Sequence, residues 1–284
     1  MKKRFIKRAL ALILIPVLLS FAGCSSTPAA TPLTLTLLKV GKADAIIVCS
    51  GPHTLLIDTG EEDDGQEIVD FLQKHSITEI DAMIITHFDQ DHVGGADTVL
   101  EQFPVKSVYV PAYAGTHPEY LDFLTAADCT GVSIEQLTEP VSISFGDADI
   151  LIEPPRSYDI PDNTVDYDNN FSLITTIQHG ENRLVFMGDA EKPRIRQWLA
   201  DSHPEPCDFL KVPHHGIYNK ALEELFSTLS PQYAVICSSR KNPADLKTLE
   251  LLKQFCPQVF ETKDGNITVI SNGKNLEVSQ KIKN

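Results

Sequence analysis

The chain lacks any CxxC pair. Its six cysteines, Cys24, Cys49, Cys129, Cys207, Cys237 and Cys256, are scattered, a spacing that does not describe a disulfide framework. Most of them read as small core residues, as in the strand-like Ala-Val-Ile-Cys237. Basic charge is also short: 24 Lys and Arg stand against 39 Asp and Glu, for a formal net charge of −15. A surface that acidic repels polyanions and counts against long-range steering of DNA, though not against a metal site acting on one phosphate. No internal repeat, low-complexity tract or mid-chain linker interrupts the sequence. The leading apolar run, Ala9 to Leu19, is broken by Pro16 and is too short to span a bilayer comfortably.

What is present begins with five basic residues, Lys2, Lys3, Arg4, Lys7 and Arg8, ahead of that apolar run. Phe21-Ala22-Gly23-Cys24 follows it. The segment resembles a bacterial lipoprotein signal. It predicts removal of residues 1–23, lipidation of Cys24 and an extracytoplasmic protein held on the cell membrane, with simple secretion as the alternative. Residues 24–32 are rich in Ser, Thr, Pro and Ala and read as a flexible tether. Residues 33–284 are long enough for one large domain with a real core.

Strand patterns fall at Leu33–Leu37, Ala45–Cys49, Thr54–Ile57, Ala82–Ile85, Ser107–Val110, Val141–Phe145 and Asp149–Ile152. A hairpin of Phe171–Ile177 and Arg183–Met187 follows, then strands at Phe209–Val212, Tyr233–Cys237 and Ile267–Ile270. Helical patterns cover Gln66–His75, Lys192–Ala200, Asn219–Leu229 and Asp245–Phe255. Strands with helices distributed between them predict two sheets covered on their outer faces by helices.

The most informative stretch is Thr86-His87-Phe88-Asp89-Gln90-Asp91-His92-Val93-Gly94-Gly95. Four potential ligands, His87, Asp89, Asp91 and His92, lie between a strand-forming run and a Gly-rich turn into a helix. Carboxylate and neutral imidazole suit zinc, manganese or iron. Two neighbouring ions need more ligands than one loop supplies. Gly188-Asp189 and Pro213-His214-His215-Gly216, each just past an apolar strand, are the later candidates. The chemistry implied is metal activation of water. His53, His75, His117, His179 and His203 lack partners at useful spacing and read as surface residues.

These motifs resemble the metallo-β-lactamase fold. His87-Phe-Asp89-Gln-Asp91-His92 is similar to its HxHxDH signature, with Asp89 in place of the second His. Leu56-Ile57-Asp58-Thr59-Gly60 resembles its first motif, and Met187-Gly188-Asp189 its bridging-carboxylate motif. With Val40-Gly41-Lys42-Ala43-Asp44-Ala45, Asn170-Phe171-Ser172-Leu173 and Val212-Pro213-His214-His215-Gly216, the set resembles the hydrolase domain of the ComEC/Rec2 competence proteins, and phosphorylcholine esterases of the same fold. The resemblance implies an α/β (α+β) fold, a four-layer αββα sandwich of two mixed sheets. It implies one or two divalent ions, zinc or manganese. On that analogy His87 and Asp89 hold one ion, Asp91 and His92 the second, Asp189 bridges and His214 completes the second site. Asp91 also orients the nucleophile, while Asp58, Asn170 and His215 stand behind the ligands, although His214 and His215 compete for one role.

Three departures bear on function. The third-motif His has no counterpart, and Asn170 occupies its neighbourhood. Ala43 replaces a glycine. Lys241-Asn242-Pro243 stands where competence-type chains carry Gly-His-Pro. The resulting expectation is an exported, lipid-anchored, metal-dependent hydrolase of phosphodiesters, nuclease-like in chemistry, acting on a phosphodiester or small-molecule substrate. Its acidity disfavours nucleic acid. The alternatives are a phosphorylcholine-type esterase or other small-ester hydrolase of the cell envelope, or a degenerate member that only binds.

Overall fold

The computed structural model describes residues 30–158 and 167–282. The signal segment and Cys24 lie outside the described residues. In the first half the elements are β1 (Leu33–Leu37), β2 (Ala45–Ser50), β3 (His53–Thr59), α1 (Gly65–Lys74), β4 (Ala82–Ile84), α2 (Gln90–Val93), α3 (Ala96–Gln102), β5 (Ser107–Pro111), α4 (Pro118–Thr130), β6 (Ser133–Leu137), β7 (Val141–Phe145) and β8 (Ala148–Glu153). The second half adds β9 (Ile174–His179), β10 (Asn182–Phe186), α5 (Lys192–Ser202), β11 (Phe209–Lys211), α6 (Leu222–Leu229), β12 (Tyr233–Ile236), α7 (Leu246–Phe255), β13 (Gln258–Glu261), β14 (Ile267–Ser271) and β15 (Leu276–Gln280).

Two mixed sheets stack face to face. One runs β15-β14-β1-β2-β3-β4-β5-β6, the other β13-β12-β11-β10-β9-β8-β7. Alternation along β3 shows why they stack. Leu55 and Ile57 turn into the layer between the sheets, where they meet residues such as Phe186 and Phe209. Leu56 turns the other way, under Ile68, Leu72 and Val99 of the covering helices. The second sheet does the same: Val185 and Leu210 face outward beneath Trp198, Leu225 and Phe226. A strand buried on both faces reads as a nearly continuous apolar run. The result is the four-layer αββα arrangement.

The physical period of 2 placed most strands within a residue or two. Phe171 is an exception. It closes a short 3-10 turn, Asp168–Phe171, and its ring packs against Tyr113, Tyr158 and Tyr167. The hairpin therefore begins at Ile174. Aromatic packing, rather than strand pairing, decided that segment. The edge strands β6, β13 and β15 carry Glu, Gln and Ser on their open sides, which mutes the apolar signal and guards exposed sheet edges. The helix α4 was also silent, because its buried side is assembled from Tyr120, Phe123, Ala126 and Ala127 while Leu121 faces solvent.

His179 is not a surface residue. It is fully buried, with Nδ1 2.7 Å from the Ser271 hydroxyl, so β9 is tied to β14 across the two sheets. Thr31, in the expected tether, already has a fixed place, since its amide donates to Asp147 Oδ2 at 2.7 Å.

Candidate metal centre

The candidate residues come together at one edge of the sandwich. The β3–β4 pair of one sheet and the β10–β11 pair of the other are parallel, and the loops leaving their carboxyl ends meet there. This is where open α/β sheets commonly place sites. Asp58 comes from β3, His87, Asp89, Asp91 and His92 follow β4, Asp189 follows β10, and His215 follows β11. Backbone conformation contributes as well. Asp58, His214 and His215 all adopt positive φ, at 57°, 46° and 50°, a left-handed geometry costly for residues other than glycine. Gly95 seats the loop from behind: a Cβ there would lie 2.5 Å from the Thr59 carbonyl and 2.7 Å from Gly65.

Ligand atoms of Asp91, His92, Asp189 and His215 lie within 4.8 Å of one another. His92 Nε2 is 3.3 Å from Asp189 Oδ1. His215 Nε2 is 3.0 Å from Asp189 Oδ2 and 3.3 Å from Asp91 Oδ2. Despite these short separations, His92 Nε2 and His215 Nε2 are buried without an aligned hydrogen-bond partner. Atoms so close but misaligned point toward a common point between them. Two imidazoles and two carboxylates are a donor set that fits zinc, manganese or iron.

The outer nitrogen of each ring explains the aim. His92 Nδ1 donates to Asp58 Oδ2 at 2.8 Å, and His215 Nδ1 donates to the Cys237 carbonyl at 3.0 Å. His87 Nδ1 sits 3.1 Å from the Thr86 hydroxyl. With Nδ1 engaged, Nε2 is turned inward in all three, the arrangement that orients metal-binding histidines. Asp58 is the brace: it also accepts from the Thr86 amide at 2.7 Å and the Thr86 hydroxyl at 2.8 Å.

Charges are balanced within the cluster. Burial alone would raise the Asp189 carboxyl, but His215, His92 and Lys211 hold it well below the usual carboxylate range. Asp91 is likewise held down, by His215 and His92 against burial and the neighbouring Asp189. Burial opposes charge on His215, yet Asp189 and Asp91 push its ring up to about 9. His92 is raised by Asp189 and Asp58 over the same opposition. The raised rings and the lowered carboxyls thus answer one another within the cluster.

Sequence analysis set His214 on the metal and His215 behind it. The structure places His215 inside the four-residue cluster. His214 stands beside it, with Nδ1 2.6 Å from Glu191 Oε1 and Nε2 3.4 Å from Asn169 Nδ2 and 3.9 Å from Asp189 Oδ2. Asn170 is buried in the neighbouring 3-10 turn, but it is Asn169 whose amide meets His214. His87 and Asp89 form a looser pair, 3.6 Å between Nε2 and Oδ2.

One charged residue escaped the sequence reading, and a second, Asp44, was read only as part of its motif. Lys211 is fully buried at the end of β11. Its ammonium is ion-paired with buried Asp44, donates to the Gly188 carbonyl at 3.0 Å and lies 3.5 Å from Asp189. Burial would lower it, but Asp44 and Asp189 keep it charged. The available signal was a lone Lys inside the apolar Phe209-Leu210-Lys211-Val212 run, a residue type almost never buried unless paired.

Residues 38–159 match the family model described as the metallo-beta-lactamase superfamily. The matched segment runs from the end of β1 past β8 and includes the His87–His92 loop. Members of that superfamily are generally metal-dependent hydrolases. The chain is 28% identical to ComE operon protein 3 of Bacillus subtilis over 84% of its own length and 33% of that protein's. It is also 28% identical to Recombination protein 2 of Haemophilus influenzae, over 86% of itself and 29% of the relative. It thus spans about a third of the length of these curated relatives. The metallo-β-lactamase fold protein YhfI from Bacillus subtilis superposes with a TM-score of 0.57 at 11% identity, covering 87% of this chain and all of that one, a likeness of fold alone.

Proposed function

We propose that the chain is an exported, lipid-anchored hydrolase that cleaves phosphodiester bonds with water activated at a divalent metal. The observation that carries this reading is the convergence of Asp91, His92, Asp189 and His215 from three separated loops. Similarity to a protein named Recombination protein 2 gives the phosphodiester preference its support. Asp91, His92, Asp189 and His215 would hold an ion, with His87 and Asp89 beside them. A divalent ion there supplies Lewis acidity and a lowered pKa for water.

The protein's own groups have distinct tasks. Asp91, partly open to solvent, orients the attacking water through its carboxylate. Lys42 Nζ lies 3.9 Å from Asp91 Oδ2 and offers positive charge to an anionic substrate at the mouth. Asp58 and Thr86 keep His92 turned inward. Attachment in this proposal rests on lipidation of Cys24.

A second reading follows from the formal charge of −15: a small ester, such as a phosphorylcholine ester with a cationic head group, in place of a polyanion. The test is turnover by metal-reconstituted protein on bis(p-nitrophenyl) phosphate, single-stranded DNA and p-nitrophenyl phosphorylcholine. Hydrolysis of the simple phosphodiester, lost in Asp91→Asn, is the expected result. Cleavage of the choline ester alone supports the second reading. No turnover on any of them with zinc or manganese overturns both.

A further inference from the structure

The helix that follows Asp189 turns back on the loop it leaves. α5 begins at Lys192, and Arg194, in its first turn, is only 3% exposed. Burying a charge is expensive unless it is well hydrogen-bonded, and Arg194 meets that demand with three acceptors. Its Nε donates to the Ser172 carbonyl at 3.0 Å, Nη2 to the Glu153 carbonyl at 2.6 Å and Nη1 to Gln197 Oε1 at 3.2 Å. Burial draws the guanidinium down to about 10, so it stays charged at neutral pH. The Glu153 carboxylate is taken up elsewhere, by Trp198 Nε1 at 2.8 Å and by the Ser202 hydroxyl. Arg194 therefore directs its charge at two backbone carbonyls from separate segments, the end of β8 and the turn before β9.

Ser172 stands between the two loops that carry the ligands. Its hydroxyl accepts from the Asp189 amide at 3.1 Å. The next residue, Leu173, donates its amide to the Thr86 carbonyl at 2.9 Å, and Thr86 holds Asp58, the brace of His92. This junction has no slack. A Cβ on Gly188, at φ 52°, would lie 3.0 Å from both Ser172 Cβ and Thr86 Cβ. Arg194, Ser172 and Asp189 thus close a ring: α5 holds the carbonyl of the residue whose hydroxyl holds the Asp189 backbone. A planar guanidinium serves the Glu153 and Ser172 carbonyls with one fixed fork, which a flexible ammonium does not reproduce.

We propose that Arg194 is a positioning residue of the metal centre: acting through Ser172, it fixes Asp189 and the spacing between the Asp189 loop and the His87–His92 loop. The inference rests on the metal-centre reading above. Packing alone asks no more of this position than an apolar side chain, such as Ile195 and Trp198 supply on the same helix.

The test is metal binding, without substrate. Calorimetric titration of the full chain with Co²⁺ reads affinity, and the visible absorption of the bound ion reads its coordination geometry. Arg194→Lys should weaken the tightest ion by about 10- to 100-fold and shift the spectrum. Ser172→Ala should do the same. The two together should weaken binding by less than the product of the separate factors, because both break one chain of contacts. Trp198→Phe is the control. It removes a bond from the same helix to Glu153 without touching Ser172, so it should lower the melting temperature and leave affinity and spectrum as in the wild type. Melting curves of the metal-free variants give their stabilities. Wild-type affinity and spectrum in a destabilised Arg194→Lys or in Ser172→Ala overturn this inference and leave the metal centre standing. Equal weakening by Trp198→Phe also overturns it, since loosening the helix would then suffice. Where Arg194→Lys does not fold, Ser172→Ala set against Trp198→Phe carries the same decision. No Co²⁺ bound by the wild type removes both readings.

Discussion

The inner and outer halves of the centre use the same residue types in different surroundings. Around Asp189 and His215 the side chains are only 3% and 1% exposed, and every carboxylate is matched by an imidazole or by Lys211. Around His87 the walls are Asp89, 31% exposed, and His117, 43% exposed. A desolvated, balanced cluster keeps its geometry when empty, because each buried charge has a partner it cannot leave cheaply. The outer groups can turn to water instead. Preorganisation therefore predicts a tight inner ion and a weaker outer one.

The comparison breaks most completely at the shared carboxylate. Asp189→Asn should remove turnover and inner-ion binding together, by far more than the roughly 10- to 100-fold that an outer-shell change costs; activity assays beside metal titration check this. His215→Ala should lose the inner ion likewise. Lys211→Met should cost about 3–5 kcal/mol of stability, since it leaves Asp44 buried without its cation. Urea unfolding of metal-free protein reads that loss, and an unchanged midpoint would show the inner half does not depend on charge balance.

A pH series sharpens the contrast. The His215 ring, raised to about 9 in the folded state from an ordinary value near 6.5, stabilises metal-free protein fully below about pH 6.5. That contribution fades as pH rises toward about 9. The melting temperature of the metal-free form should fall across this window, and that of the metal-loaded form should not, because bound metal takes the proton's place. Metal affinity should rise over the same range. The smallest effect is expected at Glu191→Gln, which loosens His214 without touching the four-residue cluster. Turnover should fall by about 10- to 100-fold, with inner-ion affinity unchanged by titration.

Much of this molecule was legible in one dimension. The run His87-Phe-Asp89-Gln-Asp91-His92 declares itself because metal ligands packed into six residues after a strand have few other uses. Strand positions such as Leu33–Leu37 were legible because Leu33, Leu35 and Leu37 face the core while Thr34 and Thr36 take the other face. Lys211 was not. It is one lysine in an apolar segment and becomes part of the site only when β11 brings it against Asp44 and Asp189. His179 shows the same limit from the other side, a histidine without sequence partners that the fold buries against Ser271.

The sequence alone determined two helix-covered sheets and the acidic-and-imidazole chemistry, because these are written in local spacing and period; the four-layer order came with the family resemblance. The tertiary structure decided which of two adjacent histidines turns inward. His214 and His215 share one motif, and only the positive-φ turn after β11, with Glu191 waiting for one ring and the Cys237 carbonyl for the other, separates them. Hydrogen-bond partners 22 and 23 residues away leave no trace in the spacing of neighbours.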